Sequence, residues 1–268
     1  MTTVLVTGAT SGLGERLARD LAADGWTVIA HGRDAARAKA LADELGEPAT
    51  AVVADLASLD DVRRLAAEVK AATDTLDVLV NNAGVGFGPP GGGRELSRDG
   101  HELRFAVDYL APVLLTRELL PLLRASAPAR VVNVGSAGQS PPDLDDVRFD
   151  HGYDGVQAYR RAKLALAAWT FDLAEQLAGD GVTANVLHPA TLMPTAMVRE
   201  ARYRTVDSLE DGVRATLRLV TDPALDGTTG RYFDGGREAR AHDTAYDPAF
   251  RARLREVTDA ILGTRITT

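Results

Sequence analysis

Seven short runs rich in Val, Ile, Leu and Ala punctuate the chain without alternating polar and apolar positions: Thr3–Val6, Thr27–His31, Thr50–Ala54, Leu76–Val80, Arg130–Gly135, Val182–Leu187 and Gly230–Phe233. A strand with one wet face alternates, whereas uniformly apolar strands are buried on both faces, as in parallel sheets. Parallel neighbours need long crossovers, and the segments between the runs have helical periodicity. Leu13, Leu17 and Leu21 lie four apart; Val62, Leu65 and Val69 share one face behind Ser58, which with Asp61 predicts a capping box. The last helix is predicted with Asp247 as N-cap, Pro248 at its first position, a stripe of Phe250, Leu254, Val257 and Ile261, and Gly263 past its end. With right-handed crossovers this alternation predicts one doubly wound α/β domain over residues 1–268, its parallel sheet of about seven strands ordered 3-2-1-4-5-6-7 and covered by helices on both faces.

Composition excludes several kinds of chemistry. The chain has no cysteine, so disulfides, thiolate metal sites and cysteine nucleophiles are out. Its five histidines are scattered and form no pair spaced to hold zinc, so no metal is expected. A formal net charge of −8 opposes a nucleic-acid partner, whose phosphates call for a basic face. No run of apolar residues is long enough for a membrane span, and strand character begins at Thr3 with no leader-like segment before it. A cytoplasmic location is the expectation.

Strand Thr3–Val6 enters Thr7-Gly8-Ala9-Thr10-Ser11-Gly12-Leu13-Gly14 and then a helix. Glycines there allow a tight turn and close approach to a pyrophosphate, and the helix start offers free N–H groups. Gly8, Thr10, Ser11, Gly12, Leu13 and Gly14 are therefore candidate dinucleotide ligands in a fold of Rossmann type. Irregular stretches near 86–95, 138–156 and 190–206 follow strands, which places them at the carboxyl edge of the sheet as candidate substrate walls.

The spacing Thr7-Gly8-x-x-x-Gly12-x-Gly14, with Asn81-Asn82-Ala83-Gly84 after the fourth strand and Tyr159-Arg160-Arg161-Ala162-Lys163 after a strand ending in Ser136, resembles the short-chain dehydrogenase/reductase family. Ala158–Ala165 with Leu187-His188-Pro189 looks like its retinol-dehydrogenase-like members. The resemblance implies a nicotinamide cofactor held by the glycine turn, by Asp55 and Leu56 near the adenine, and by Asn82, Ala83 and Gly84. The position at which NAD-dependent members carry an aspartate falls on Gly32, followed by Arg33. A guanidinium can bind a 2′-phosphate bidentately, so NADP(H) is expected; Asp34 is read as the next helix's N-cap.

Tyr159 and Lys163, four apart, share one helical face. Reducing a ketone or aldehyde requires a proton donor at the oxygen, and a nearby ammonium favours the phenolate and lowers a tyrosine's pKa. By resemblance, Ser136 hydrogen-bonds the substrate oxygen, Tyr159 exchanges the proton, and Lys163 also holds the nicotinamide ribose. The expected substrate is a bulky, lipophilic carbonyl or alcohol.

Two positions depart from the family pattern. Asp108 stands where the family has an asparagine that supports a water link to the lysine, chiefly through its backbone carbonyl; a carboxylate there adds negative charge near Lys163. Pro189-Ala190 replaces the family's Pro-Gly, and the threonine that contacts the cofactor is offset, with Thr195 the first candidate and Thr191 the second. His188 is read as loop support. These departures motivate an alternative reading, a non-catalytic NADP-binding sensor or scaffold. The resemblance also implies pairing into a homodimer or homotetramer through the 105–123 and 159–178 helices.

Overall fold

The computed structural model describes residues 2–263 and 266. Its single sheet has eight strands in the order β3-β2-β1-β4-β5-β6-β7-β8. Seven are β1 (Thr3–Val6), β2 (Thr27–Gly32), β3 (Thr50–Val53), β4 (Val78–Asn81), β5 (Ala129–Val134), β6 (Val182–His188) and β7 (Tyr232–Asp234), all pairing in parallel. β8 (Arg237–Ala239) returns antiparallel on β7. It extends the expected order of about seven strands by one: its three exposed residues carry no apolar signal, and charged side chains suit a sheet edge. β7 also starts later than the run from Gly230 suggests, because Gly230 has φ of +67°, outside the extended region, although its N–H still reaches Ala184 O on β6. β4 likewise begins at Val78 rather than Leu76.

The helices are α1 (Gly12–Ala23), α2 (Ala35–Leu45), α3 (Leu59–Ala72), α4 (Leu103–Phe105), α5 (Ala111–Ala125), α6 (Gly155–Gln176), α7 (Ala196–Glu200), α8 (Leu209–Thr221) and α9 (Pro248–Leu262). A π-helical turn, Ala106–Leu110, joins α4 to α5. On one face of the sheet α3, α5 and α6 bury Leu65, Leu114 and Leu166; on the other, α1 and α8 bury Leu17, Leu21, Val213 and Leu219. Asp247 and Pro248 start α9 as expected, and Gly263 ends it in the left-handed region. The predicted box at Ser58 forms by half. Ser58 accepts from Asp61 N, but the Asp61 carboxylate accepts from Asp55 N instead. The complete box belongs to Ser208 and Asp211 at the head of α8.

Buried amides lock the sheet's centre to its helices. Asn81 Nδ2 on β4 donates to Asn133 Oδ1 at 2.8 Å and to Thr116 Oγ1 at 3.1 Å, and Asn133 Nδ2 donates to Thr170 Oγ1 at 2.9 Å. In a low-dielectric core such a network fixes register as well as adding stability. The strand ends that follow it are thereby held in place, and the site is built on them.

Candidate active site

A cleft of about 640 Å³ runs along the carboxyl ends of the strands, where ligands bind in open α/β sheets. At one end lies the glycine turn. Gly8 and Gly12 have φ of +66° and +55°, and a Cβ on Gly14 would stand 2.3 Å from Gly8 O, so these positions exclude side chains. Thr7 Oγ1 accepts from Asn82 N at 2.9 Å and Ala83 N at 3.0 Å; Asn82 Nδ2 donates to Thr7 O at 2.8 Å. Asn82 is thus a strut under the turn as well as part of the cleft wall.

His31, which sequence reasoning passed over, is a second strut. Its Nδ1 accepts from Gly8 N at 3.1 Å and its Nε2 lies 3.1 Å from Ala54 O, so the ring is the neutral Nε2–H tautomer tying the turn to the end of β3. Burial pushes its pKa down to about 4. Nothing in the local sequence distinguishes it from any other buried strand residue.

Beyond the turn, Arg33 and Arg37 border the cleft. A Cβ on Gly32 would lie 2.4 Å from Thr10 Cγ2, so a side chain there would have to displace the threonine. Asp34 accepts from Ala36 N and Arg37 N, as an N-cap does. Arg37, one turn into α2, donates to Thr10 O at 2.5 Å. It is a second missed residue, and its spacing of four from Arg33 was the available signal. Asp55 and Leu56 line the same end, with Asp55 Oδ2 3.6 Å from Arg98.

The other end gathers Ser136, Tyr159 and Lys163. Ser136 Oγ accepts from Gly138 N at 3.0 Å, and its hydroxyl hydrogen-bonds the Tyr159 phenol oxygen. Lys163 Nζ donates to Val134 O at 3.0 Å and lies 5.5 Å from the Tyr159 ring centroid. Phe87 packs edge-on against Tyr159, centroids 4.5 Å apart. Lys163 acts on Tyr159 in the expected direction, lowering its pKa together with the Ser136 hydroxyl, but burial, which the sequence does not reveal, raises it more. The phenol is therefore held protonated, the form that can donate.

Asp108 sits in the π-helical turn with no exposure. Its Oδ1 accepts from Val85 N at 2.7 Å, and its Oδ2, which has no hydrogen-bond partner, stands 3.6 Å from Lys163 Nζ. Burial raises its pKa, against the attraction of Lys163. The side chain thus faces Lys163 directly. Thr195, the N-cap residue of α7, has its Cγ2 3.4 Å from the Cβ position of Gly12. Thr191 turns instead to His188, its Oγ1 3.1 Å from Nε2, and to Asp207, which accepts from its N–H. Both threonines, with Pro189, line the cleft, and His188 has the loop-supporting role expected of it.

A buried cluster braces the wall around Phe87. Arg104, 2% exposed, donates to Gly86 O at 2.8 Å and Tyr153 OH at 2.8 Å, and pairs with Glu102 and Glu95 at 3.3 Å each. It joins the 86–95 and 138–156 loops. Among the described residues, no His, Asp or Glu group is arranged to hold a metal, and no helix is long and apolar enough to cross a membrane.

A family model of the short chain dehydrogenases matches residues 2–205, and the chain belongs to that family. Retinol dehydrogenase 14 from Homo sapiens is 34% identical over 97% of this chain and 86% of its own. RhlG from Pseudomonas aeruginosa, solved as an NADP active-site complex, aligns with a TM-score of 0.72 and 29% identity over 88% of this chain and 95% of its own. The 3-ketoacyl-(acyl-carrier-protein) reductase from Brucella melitensis, solved with NADH, gives 0.69 and 26% over 88% and 98%. The protein is an oxidoreductase of alcohol or carbonyl groups that uses a nicotinamide cofactor.

Proposed function

We propose that the protein is an NADPH-dependent carbonyl reductase, also able to run as an alcohol dehydrogenase, with NADP(H) as its cofactor. The observation that carries this reading is one continuous cleft with Arg33 and Arg37 at its nucleotide end and Ser136, Tyr159 and Lys163 at the other. The chain fits a dinucleotide. The glycine turn presents bare backbone to the cleft, and Gly32 offers no carboxylate to a ribose while two guanidinium groups suit a 2′-phosphate. When bound, the nicotinamide supplies or accepts the hydride.

The residues then divide the remaining work. Ser136 turns its O–H from the phenol to the substrate oxygen, and Tyr159, held protonated, gives its proton to that oxygen as the carbonyl carbon is reduced. Lys163 places an ammonium beside the phenol, which stabilises the phenolate left behind, and it borders the cleft where a ribose would lie. Phe87, Met193, Met197, Val198 and Tyr203 line the substrate end, an apolar surface suited to a lipophilic body.

The test is NADPH and NADH oxidation, followed by absorbance, across ketones, aldehydes and quinones. The expected result is turnover with NADPH preferred; loss of the guanidinium in Arg33→Ala should weaken NADPH by about 1.5–3 kcal/mol, the worth of a charge-assisted hydrogen bond. Equal dissociation constants for the two cofactors in the wild-type protein refute the cofactor assignment.

A further inference from the structure

The substrate end of the cleft is apolar except for one charged side chain that the chemistry above does not use. Arg160 follows the catalytic tyrosine, is exposed, and lines the cleft. Its neighbour Arg161 is engaged, with its guanidinium 3.9 Å from the Phe149 centroid. Arg160 has no ion pair or side-chain hydrogen bond among the described residues. The position a Cβ would take on Gly138 lies 3.5 Å from Ser136 Oγ and 3.7 Å from Arg160 Nε. The guanidinium and the catalytic hydroxyl therefore flank the same gap, and glycine at 138 keeps that gap open.

Charge along the cleft sharpens the point. The carboxylates among its lining residues are Asp34 and Asp55, both at the nucleotide end, where Asp34 caps α2 and Asp55 lies beside Arg98. Asp108 faces Lys163 from behind. At the substrate end Arg160 lines the cleft together with Phe87, Val156, Met193, Met197 and Tyr203, and no acid is among them. In a chain of net charge −8, an arginine with no acidic partner at the mouth of an apolar cleft is a candidate for recognising an anion brought by the ligand.

We propose that Arg160 is a specificity-determining residue that binds a carboxylate close to the reacting carbonyl, so that the preferred substrate is an oxo acid with an apolar body rather than a neutral lipophile. This rests on the carbonyl-reductase reading of the same site. A guanidinium forks onto a carboxylate with two parallel hydrogen bonds, and partial shielding by the aromatic and thioether wall strengthens them. The anion also orients the carbonyl toward Ser136 and Tyr159.

The experiment compares aryl and alkyl γ-oxo acids of graded length with their methyl esters. Binding to the NADP⁺-loaded protein is measured by calorimetry and NADPH oxidation by absorbance, for wild type, Arg160→Gln and Arg160→Lys. The acid should be preferred over its ester in both readouts. Arg160→Gln should lower that preference about 10- to 100-fold, the scale of one charge-assisted hydrogen bond, and Arg160→Lys should restore part of it. Equal treatment of acid and ester, a preference untouched by Arg160→Gln, or failure of the acids to bind overturns the proposal; turnover of the esters then leaves the reductase reading standing. Arg160-dependent binding of the acids with no NADPH oxidation by any compound supports the anion site and refutes the reductase reading.

Discussion

Replacing Arg104 by Met removes the centre of the brace that holds Phe87 against Tyr159. The guanidinium is 2% exposed and donates to Gly86 O and Tyr153 OH, each at 2.8 Å. Of its two acidic partners, both at 3.3 Å, Glu102 is equally buried, while Glu95 is 57% exposed and can turn to water. The loss therefore falls on Glu102, whose remaining strong contact is Phe105 N at 2.8 Å. Breaking a buried pair by removing one partner costs about 3–5 kcal/mol, which for a chain of this size lowers Tm by roughly 10 °C. The double variant Arg104→Met/Glu102→Leu should recover most of this, because the uncompensated charge has gone with its partner.

The pH dependence of the single variant has a definite sign. Burial already holds the Glu102 pKa above the ordinary carboxylate range, with Phe105 N and Arg104 pulling it back. Without Arg104 it rises further, so the native state binds a proton that the unfolded state releases. Such a group destabilises increasingly as pH rises through the carboxylate range and beyond. The variant should thus regain part of its deficit between pH 7 and pH 5, measured by urea unfolding at both. A cost below about 1 kcal/mol, a small fraction of that expected for a buried pair, or a double variant no better than the single, would refute the argument that this cluster is a buried, mutually dependent brace.

Three further outcomes follow from the catalytic end. Tyr159→Phe should cut turnover by about 10²–10⁴ while calorimetry finds NADPH affinity nearly unchanged, since the hydroxyl matters only as charge develops on the substrate oxygen; retention of more than roughly a tenth of the rate, well short of that loss, means another group is the acid. Lys163→Ala should damage both turnover and NADPH binding, and a cofactor dissociation constant equal to wild type would remove the ribose from its assigned roles. Asp108→Asn should move the basic limb of the reductive rate profile to lower pH, because the carboxylate raises the Tyr159 pKa and its removal lets the phenol lose its proton sooner; superimposable profiles would mean that the Asp108 side chain does not act on the tyrosine.

What the sequence by itself determined was whatever depends on local pattern. Uniformly apolar runs mark strands buried on both faces, and helical periodicity between them requires parallel crossovers, so the order of the first seven strands follows from chain order and handedness. The turn at Gly8–Gly14, the cap at Asp34 and the Tyr159/Lys163 pair are likewise set by residues within a few positions of one another. Tertiary structure decided everything that depends on distant segments meeting. His31 becomes a strut only because β2 runs beside the turn and β3, and Arg104 a brace only because two loops converge on it. Asp61 is claimed by Asp55 before it can close its predicted box. Tyr159 departs furthest from local reasoning: the lysine four residues on lowers its pKa, yet burial beneath Phe87 and neighbouring walls raises it more, because desolvation is summed over the whole surroundings whereas spacing reveals a single neighbour.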